Sequence, residues 1–103
     1  WGEARQTLLL GEKGAGKTHL AHIFSTHSGA TFLPYTSAFT TLKPKQAYII
    51  DDCQEWPEAR LLDIFNQAKS LEAYVLYTAP LGYEETILHA DWKSRVAAMR
   101  ALY

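Results

Sequence analysis

The chain has one cysteine, Cys53, among its 103 residues. That excludes an internal disulfide and fits a reducing compartment, so the cytoplasm is the expected location. No apolar run approaches the ~20 residues of a membrane-spanning helix, and Trp1-Gly2-Glu3-Ala4-Arg5 lacks the layout of a signal peptide. Net charge is almost absent: 10 basic against 11 acidic residues leave −1. There is thus no general electrostatic pull toward nucleic acid, and direct DNA binding is not supported. Arginine is scarce. Arg5, Arg60, Arg95 and Arg100 are scattered and form no cluster of the kind that closes over phosphates in small-molecule kinases. Internal repeats and low-complexity tracts are missing too. What remains is an ordinary globular composition, 48% hydrophobic and 20% charged, in a length that supports one domain over 1–103. Both ends are abrupt, with Leu8-Leu9-Leu10 near the start and Ala101-Leu102-Tyr103 at the finish. They predict a trimmed or minimal form of a longer design.

Short apolar runs alternate with helical patterns. Thr7-Leu8-Leu9-Leu10 predicts a buried strand ended by glycine, and Leu20, Ile23, Phe24 and His27 then recur at helical spacing on one face. Thr31-Phe32-Leu33 predicts a second strand stopped by Pro34, followed by a polar loop or weak turn from Tyr35 to Lys45. Ala47-Tyr48-Ile49-Ile50 predicts a strand that delivers Asp51 and Asp52 at its end. Pro57-Glu58 suits the first turn of a helix whose apolar face is Leu61, Ile64, Phe65 and Ala68. Ala73 to Tyr77 predicts another strand, and Glu84 to His89 a short helix; from Arg95 onward helix and edge strand compete. Near-continuous apolar strands alternating with helices define an α/β fold: a parallel sheet with helices on both faces.

Gly11-Glu12-Lys13-Gly14-Ala15-Gly16-Lys17-Thr18 fits the phosphate-loop pattern G-x-x-x-x-G-K-[ST] at every fixed position. Glycines let the backbone curl until its N–H groups face phosphate oxygens. The following helix adds its positive N-terminal end. Lys17 supplies a cation for the β- and γ-phosphates, and the Thr18 hydroxyl is a magnesium ligand. Glycine makes up about 7% of residues, so chance produces such a match in roughly one chain of this length in a few hundred. Its position between a predicted strand and a predicted helix makes chance rarer still. The ligand expected is ATP or ADP with Mg2+. A phosphate loop needs a second acid at the end of a neighbouring strand, and Tyr48-Ile49-Ile50-Asp51-Asp52 offers one. Asp51 is the expected magnesium holder, and Asp52 stands where it can polarise an attacking water.

These residues carry a resemblance. Gly16-Lys17-Thr18-His19-Leu20, with His22 after it, resembles the Gly-Lys-Thr-His-Leu signature of DnaA-type AAA+ ATPases. Asp51-Asp52-Cys53-Gln54 looks like the Asp-Asp-Ile-Gln of the Walker B strand in that family. Phe65-Asn66 is similar to the Phe-Asn of the next helix, and Lys93-Ser94-Arg95 to the box VII segment that carries an arginine finger. The matches follow family order along nearly the whole chain. The resemblance implies a P-loop NTPase of the AAA+ core type with five parallel strands. It implies a nucleotide-binding set of Gly11, Glu12, Lys13, Gly14, Ala15, Gly16, Lys17, Thr18 and His19, magnesium ligands Thr18 and Asp51, and catalytic roles for Lys17, Asp52 and Arg95. Arg95 would reach the nucleotide of a neighbouring subunit, whether a copy of this chain in a homo-oligomer or another ATPase.

Departures from the family pattern narrow the expectation. The interval from Lys17 to Asp51 is short, without the helices that grip single-stranded DNA in the initiators, and the lid domain with its sensor 2 arginine is expected to be absent. At sensor 1, Tyr77-Thr78-Ala79-Pro80 offers only Thr78 as a polar group, and Asp91 replaces the first arginine of box VII. The short form looks most like the regulatory, Hda-type branch of the family. That resemblance implies a module of bacterial DNA replication initiation, with slow or partner-dependent ATP hydrolysis. Its partner would be a DnaA-family ATPase. The resemblance also implies the sliding clamp as a second partner, reached through a segment expected upstream of Trp1, because Gln6-Thr7-Leu8-Leu9-Leu10 is needed as a strand. Two other classes compete: a small P-loop kinase, disfavoured by the missing arginine lid and the paired acids, and a helicase-loader-like DNA-binding ATPase, disfavoured by net charge. His19, His22, His27 and His89 lack the spacing of a metal site. Cys53, Trp56 and Trp92 are expected to pack.

Overall fold

The computed structural model describes residues 5–12, 16–34 and 41–102, the side chains of Lys17 and of 100–102 excepted. Its elements are β1 (Gln6–Leu10), α1 (Lys17–Ser28), β2 (Thr31–Phe32), β3 (Ala47–Ile50), a 3-10 turn (Cys53–Glu55), α2 (Glu58–Leu71), β4 (Tyr74–Ala79), α3 (Tyr83–Thr86), α4 (Ala90–Ala98) and β5 (Arg100–Leu102). The strands form one sheet in the order β2-β3-β4-β1-β5, and every neighbouring pair is parallel. The expected α/β architecture is therefore present. Among the described residues no helix is long and apolar enough to cross a membrane.

Side chains alternate across the strands. Leu8, Leu10, Tyr48, Ile50, Val75, Tyr77 and Ala79 face one side, where they meet Leu61, Ile64 and Ala68 of α2, Tyr83 of α3, and Trp92 and Val96 of α4. Leu9, Ile49 and Leu76 face the other side and pack with Ala21 of α1 and Ala30. Complete burial of a side chain such as Ile49 or Leu61 contributes roughly 1.5–3 kcal/mol. The α2/α4 side also holds a satisfied polar bridge. The Tyr77 hydroxyl donates to Gln6 Oε1 at 2.6 Å, and Gln6 Nε2 donates to the Phe65 carbonyl at 3.1 Å. It ties β4, β1 and α2 together.

Several boundaries differ from the sequence expectation. β4 runs on through Thr78 and Ala79, because Leu9 and Leu10 of β1 pair with both. α3 stops at Thr86, short of His89; the Leu88 and His89 N–H groups are held instead by the Glu58 carboxylate, at 3.0 and 2.7 Å. After Arg95 both competing forms occur in turn: α4 continues to Ala98, and β5 follows as an edge strand on β1.

The face of α1 is the main correction. Leu20 and Ile23 are 51% and 41% exposed, and His27 is exposed, whereas Ala21 is wholly buried and Phe24 and Ser25 half-buried. The phase of this helix is set at its start. The Thr18 hydroxyl bonds Asp51, so residues 18, 21 and 25 turn toward the sheet. Leu20 and Ile23 then lie about 140–160° away around the helix, at about 100° per residue. The helix therefore turns Ala21 and part of Phe24, rather than the whole apolar stripe, toward the sheet.

Candidate functional site

β1 ends at Leu10, and Gly11 N–H still bonds the Ala79 carbonyl of β4 at 3.2 Å. The chain leaves the sheet here. Lys13, Gly14 and Ala15 lie outside the described residues, as does the Lys17 side chain. Gly16 re-enters the described backbone at φ 89°, a left-handed conformation that costs glycine nothing and other residues strain. Its carbonyl accepts the first helical bond, from Leu20 N–H at 2.9 Å. Among the described residues no side chain caps this helix end, and its first turn carries no acid. A helix end of this kind can receive an anion on its N–H groups and its positive dipole end.

Period-two alternation brings the acid to the same place. Ile49 and Leu76 face α1, so Asp51 and Thr78, two residues further along each strand, face α1 as well. Tyr77 pairs with Ile50, which sets Thr78 beside Asp51. The result is a closed set of bonds. Thr18 Oγ1 donates to Asp51 Oδ2 at 3.0 Å, and Thr78 Oγ1 donates to Asp51 Oδ1 at 2.5 Å. Asp52 N–H donates to Thr78 Oγ1 at 2.8 Å. Both carboxylate oxygens of Asp51 are thus held, one from α1 and one from β4.

Asp52 sits at φ 52°, a left-handed position that aspartate tolerates better than most residues. This turn ends β3 and starts the 3-10 segment. It leaves the Asp52 side chain exposed, with Gln54 Nε2 at 3.5 Å from its Oδ1. Thr18 and Asp51 therefore present two hard oxygen ligands in contact with each other, which is the donor set magnesium takes. Among the described residues no group of three or more His, Cys, Asp or Glu side chains stands ready for a metal. A cation here would complete its shell with phosphate oxygens and water, as Mg2+ does in phosphate sites. His19 and His22 are exposed on α1, and His22 lies against the Phe32 ring at 4.6 Å.

Beneath the acids lies a polar group of the core that the sequence did not disclose. Trp92 Nε1 donates to the Tyr83 hydroxyl at 2.8 Å, and that hydroxyl is hydrogen-bonded to the Cys53 thiol. Burial pushes the thiol up to about 12. Burial also drives the Tyr83 and Tyr77 hydroxyls upward, reinforced by the neighbouring Cys53. None of these groups ionises near neutrality, so they act as packing and hydrogen-bonding residues. The sequence offered no spacing signal for this group. Its members come from three separate segments.

Arg95 is not part of the Asp51 cluster. It lies on the other side of the sheet, on α4, with its guanidinium carbon 5.7 Å from the centre of the Phe65 ring. Its Nε is buried without a hydrogen-bond partner among the described residues. Lys93 and Ser94 beside it are exposed. Comparison with protein-family models and with curated proteins gave no match.

Proposed function

We propose that the chain binds ATP or ADP with magnesium on its Gly11–Thr18 loop, as a P-loop NTPase of the AAA+ type, and serves as a regulatory module rather than a fast ATPase. The observation that carries this is the Thr18–Asp51 contact at 3.0 Å. Two residues from separate segments, expected from the sequence to share one cation, lie in hydrogen-bond contact. Bound magnesium would bridge phosphate oxygens and offset their charge. The chain's own residues do the rest. The open N-terminus of α1 receives phosphate, Thr18 and Asp51 hold the cation, and the exposed Asp52 carboxylate polarises water at the outer phosphate.

The regulatory part of the proposal follows from the DnaA-like signature and its short Hda-type form. The partner is then a DnaA-family ATPase, with the sliding clamp as a second contact, and Arg95 completes a neighbour's site. For that, the guanidinium has to swing off Phe65, leaving an interaction of roughly 0.5–1 kcal/mol. The exchange is favourable, because an arginine opposite a γ-phosphate gains more.

Titration with a fluorescent nucleotide tests the first part: Lys17→Ala should lose binding at least tenfold, and unchanged affinity would sink the phosphate-loop assignment. Retention of DnaA or clamp on the immobilised chain, with and without ADP, tests the second. Arg95→Ala should still bind nucleotide yet lose stimulation of ATP turnover on the partner. Full stimulation by that variant removes the trans role.

A further inference from the structure

We infer that Thr78 is a positioning residue that aims Asp51 at the cation and does not itself contact the nucleotide. This deepens the nucleotide-binding proposal and rests on it. A threonine hydroxyl has one proton to donate and lone pairs with which to accept. The Thr78 proton goes to Asp51 Oδ1, and Asp52 N–H points at its oxygen. A phosphate oxygen is an acceptor, so a hydroxyl reaches it only by donating, and this hydroxyl has no second proton. Thr78 is also fully buried. It is the polar group that the sequence offered at sensor 1, and its hydrogen bonding is turned to Asp51 and to the Asp52 backbone.

Two consequences follow. With Oδ1 fixed from β4, Oδ2 is the oxygen left facing Thr18 and the cation. Through the same oxygen Thr78 also holds the Asp52 backbone in its left-handed turn, so a single hydroxyl sets the direction of both acids. Groups that orient a metal-binding carboxylate typically change metal affinity by about 10–100-fold when removed. Because Thr78 has no contact of its own with phosphate, its removal should act equally on the diphosphate and the triphosphate.

The test is a magnesium titration of fluorescent-nucleotide binding. Thr78→Val, which keeps shape and removes the hydroxyl, should raise the half-saturating Mg2+ concentration by about tenfold or more. The shift should be the same with ADP and with a non-hydrolysable ATP analogue, and affinity in EDTA should match the wild type. Thr78→Ser should restore the wild-type midpoint to within a few-fold. In an Asp51→Ala background the valine substitution should add nothing, as expected when both act through one group. Thr78→Ala replaces the valine variant if that one does not fold. A midpoint within twofold of wild type overturns the inference and leaves the phosphate loop standing. So does a shift confined to the triphosphate, or a loss that is equal in EDTA. A wild-type chain that binds no nucleotide at all removes both.

Discussion

Cys53 shows how a residue next to a site can be shut out of its chemistry. It follows Asp52 directly, yet its side chain is fully buried and hydrogen-bonded to Tyr83. A thiol held near 12 keeps its proton at every physiological pH. Iodoacetamide at neutral pH should therefore label it only as fast as the protein unfolds, which mass spectrometry against a urea series would reveal. The linkage has a definite sign. The unfolded thiol loses its proton near 9.0 and the folded one near 12, so the folded state binds the extra proton between those values. Its contribution is complete below 9.0 and is lost as pH rises toward 12. The urea midpoint should fall across that window. Cys53→Ala should lessen the slope without abolishing it, because Tyr77 and Tyr83 are shifted in the same direction.

At the level of elements, α1 separates what pattern can tell from what geometry decides. If Ala21 and not Leu20 or Ile23 faces the sheet, Leu20→Ser and Ile23→Ser should each change stability by less than about 0.5 kcal/mol. Ala21→Leu should cost about 1–3 kcal/mol by overpacking. Chemical denaturation of the three variants distinguishes the two helix phases, and a large loss at Leu20 would restore the apolar-stripe reading. The legibility of the other elements follows the same logic. Strands were visible because parallel strands buried on both faces are apolar throughout, as in Ile49-Ile50 and Val75-Leu76. α2 was visible because its buried positions, Leu61, Ile64 and Ala68, keep helical spacing undisturbed by any site residue. α1 misled because the first-turn threonine is bound to an acid some thirty residues away, a constraint that no local window contains. Thr78 was noticed as the one polar candidate in the segment Tyr77-Thr78-Ala79-Pro80, but its partners lie at the end of β3 and only register reveals them. Glu58 gave no signal of its hold on Leu88 and His89, since one acid at a helix start looks like any other.

For the molecule as a whole, ligand and fold are coupled. A ligand that binds the folded form alone stabilises it by about 2.7 kcal/mol at a hundred times its dissociation constant. Magnesium with ADP should therefore raise the melting temperature in a concentration-dependent way, and EDTA should reverse the part owed to the cation. Lys17→Ala should show no such rise under the same conditions. A melting temperature indifferent to nucleotide in the unsubstituted chain contradicts the proposed function.

The place of β1 has a further consequence, in time rather than space. It precedes β4 and β5 in sequence but lies between them in the sheet, with Gln6 beside Val75 on one side and Thr7 beside Arg100 on the other. A strand made earlier must wait for strands made later. Until β4 and β5 have been synthesised, Leu8, Leu9 and Leu10 have no lasting partner, and the loop that follows them has no fixed floor. Such long-range pairing slows folding, because the entropy of closing the chain is lost before any contact offsets it. During synthesis β1 is therefore made before the strands that flank it, and the sheet around it is completed only when they follow.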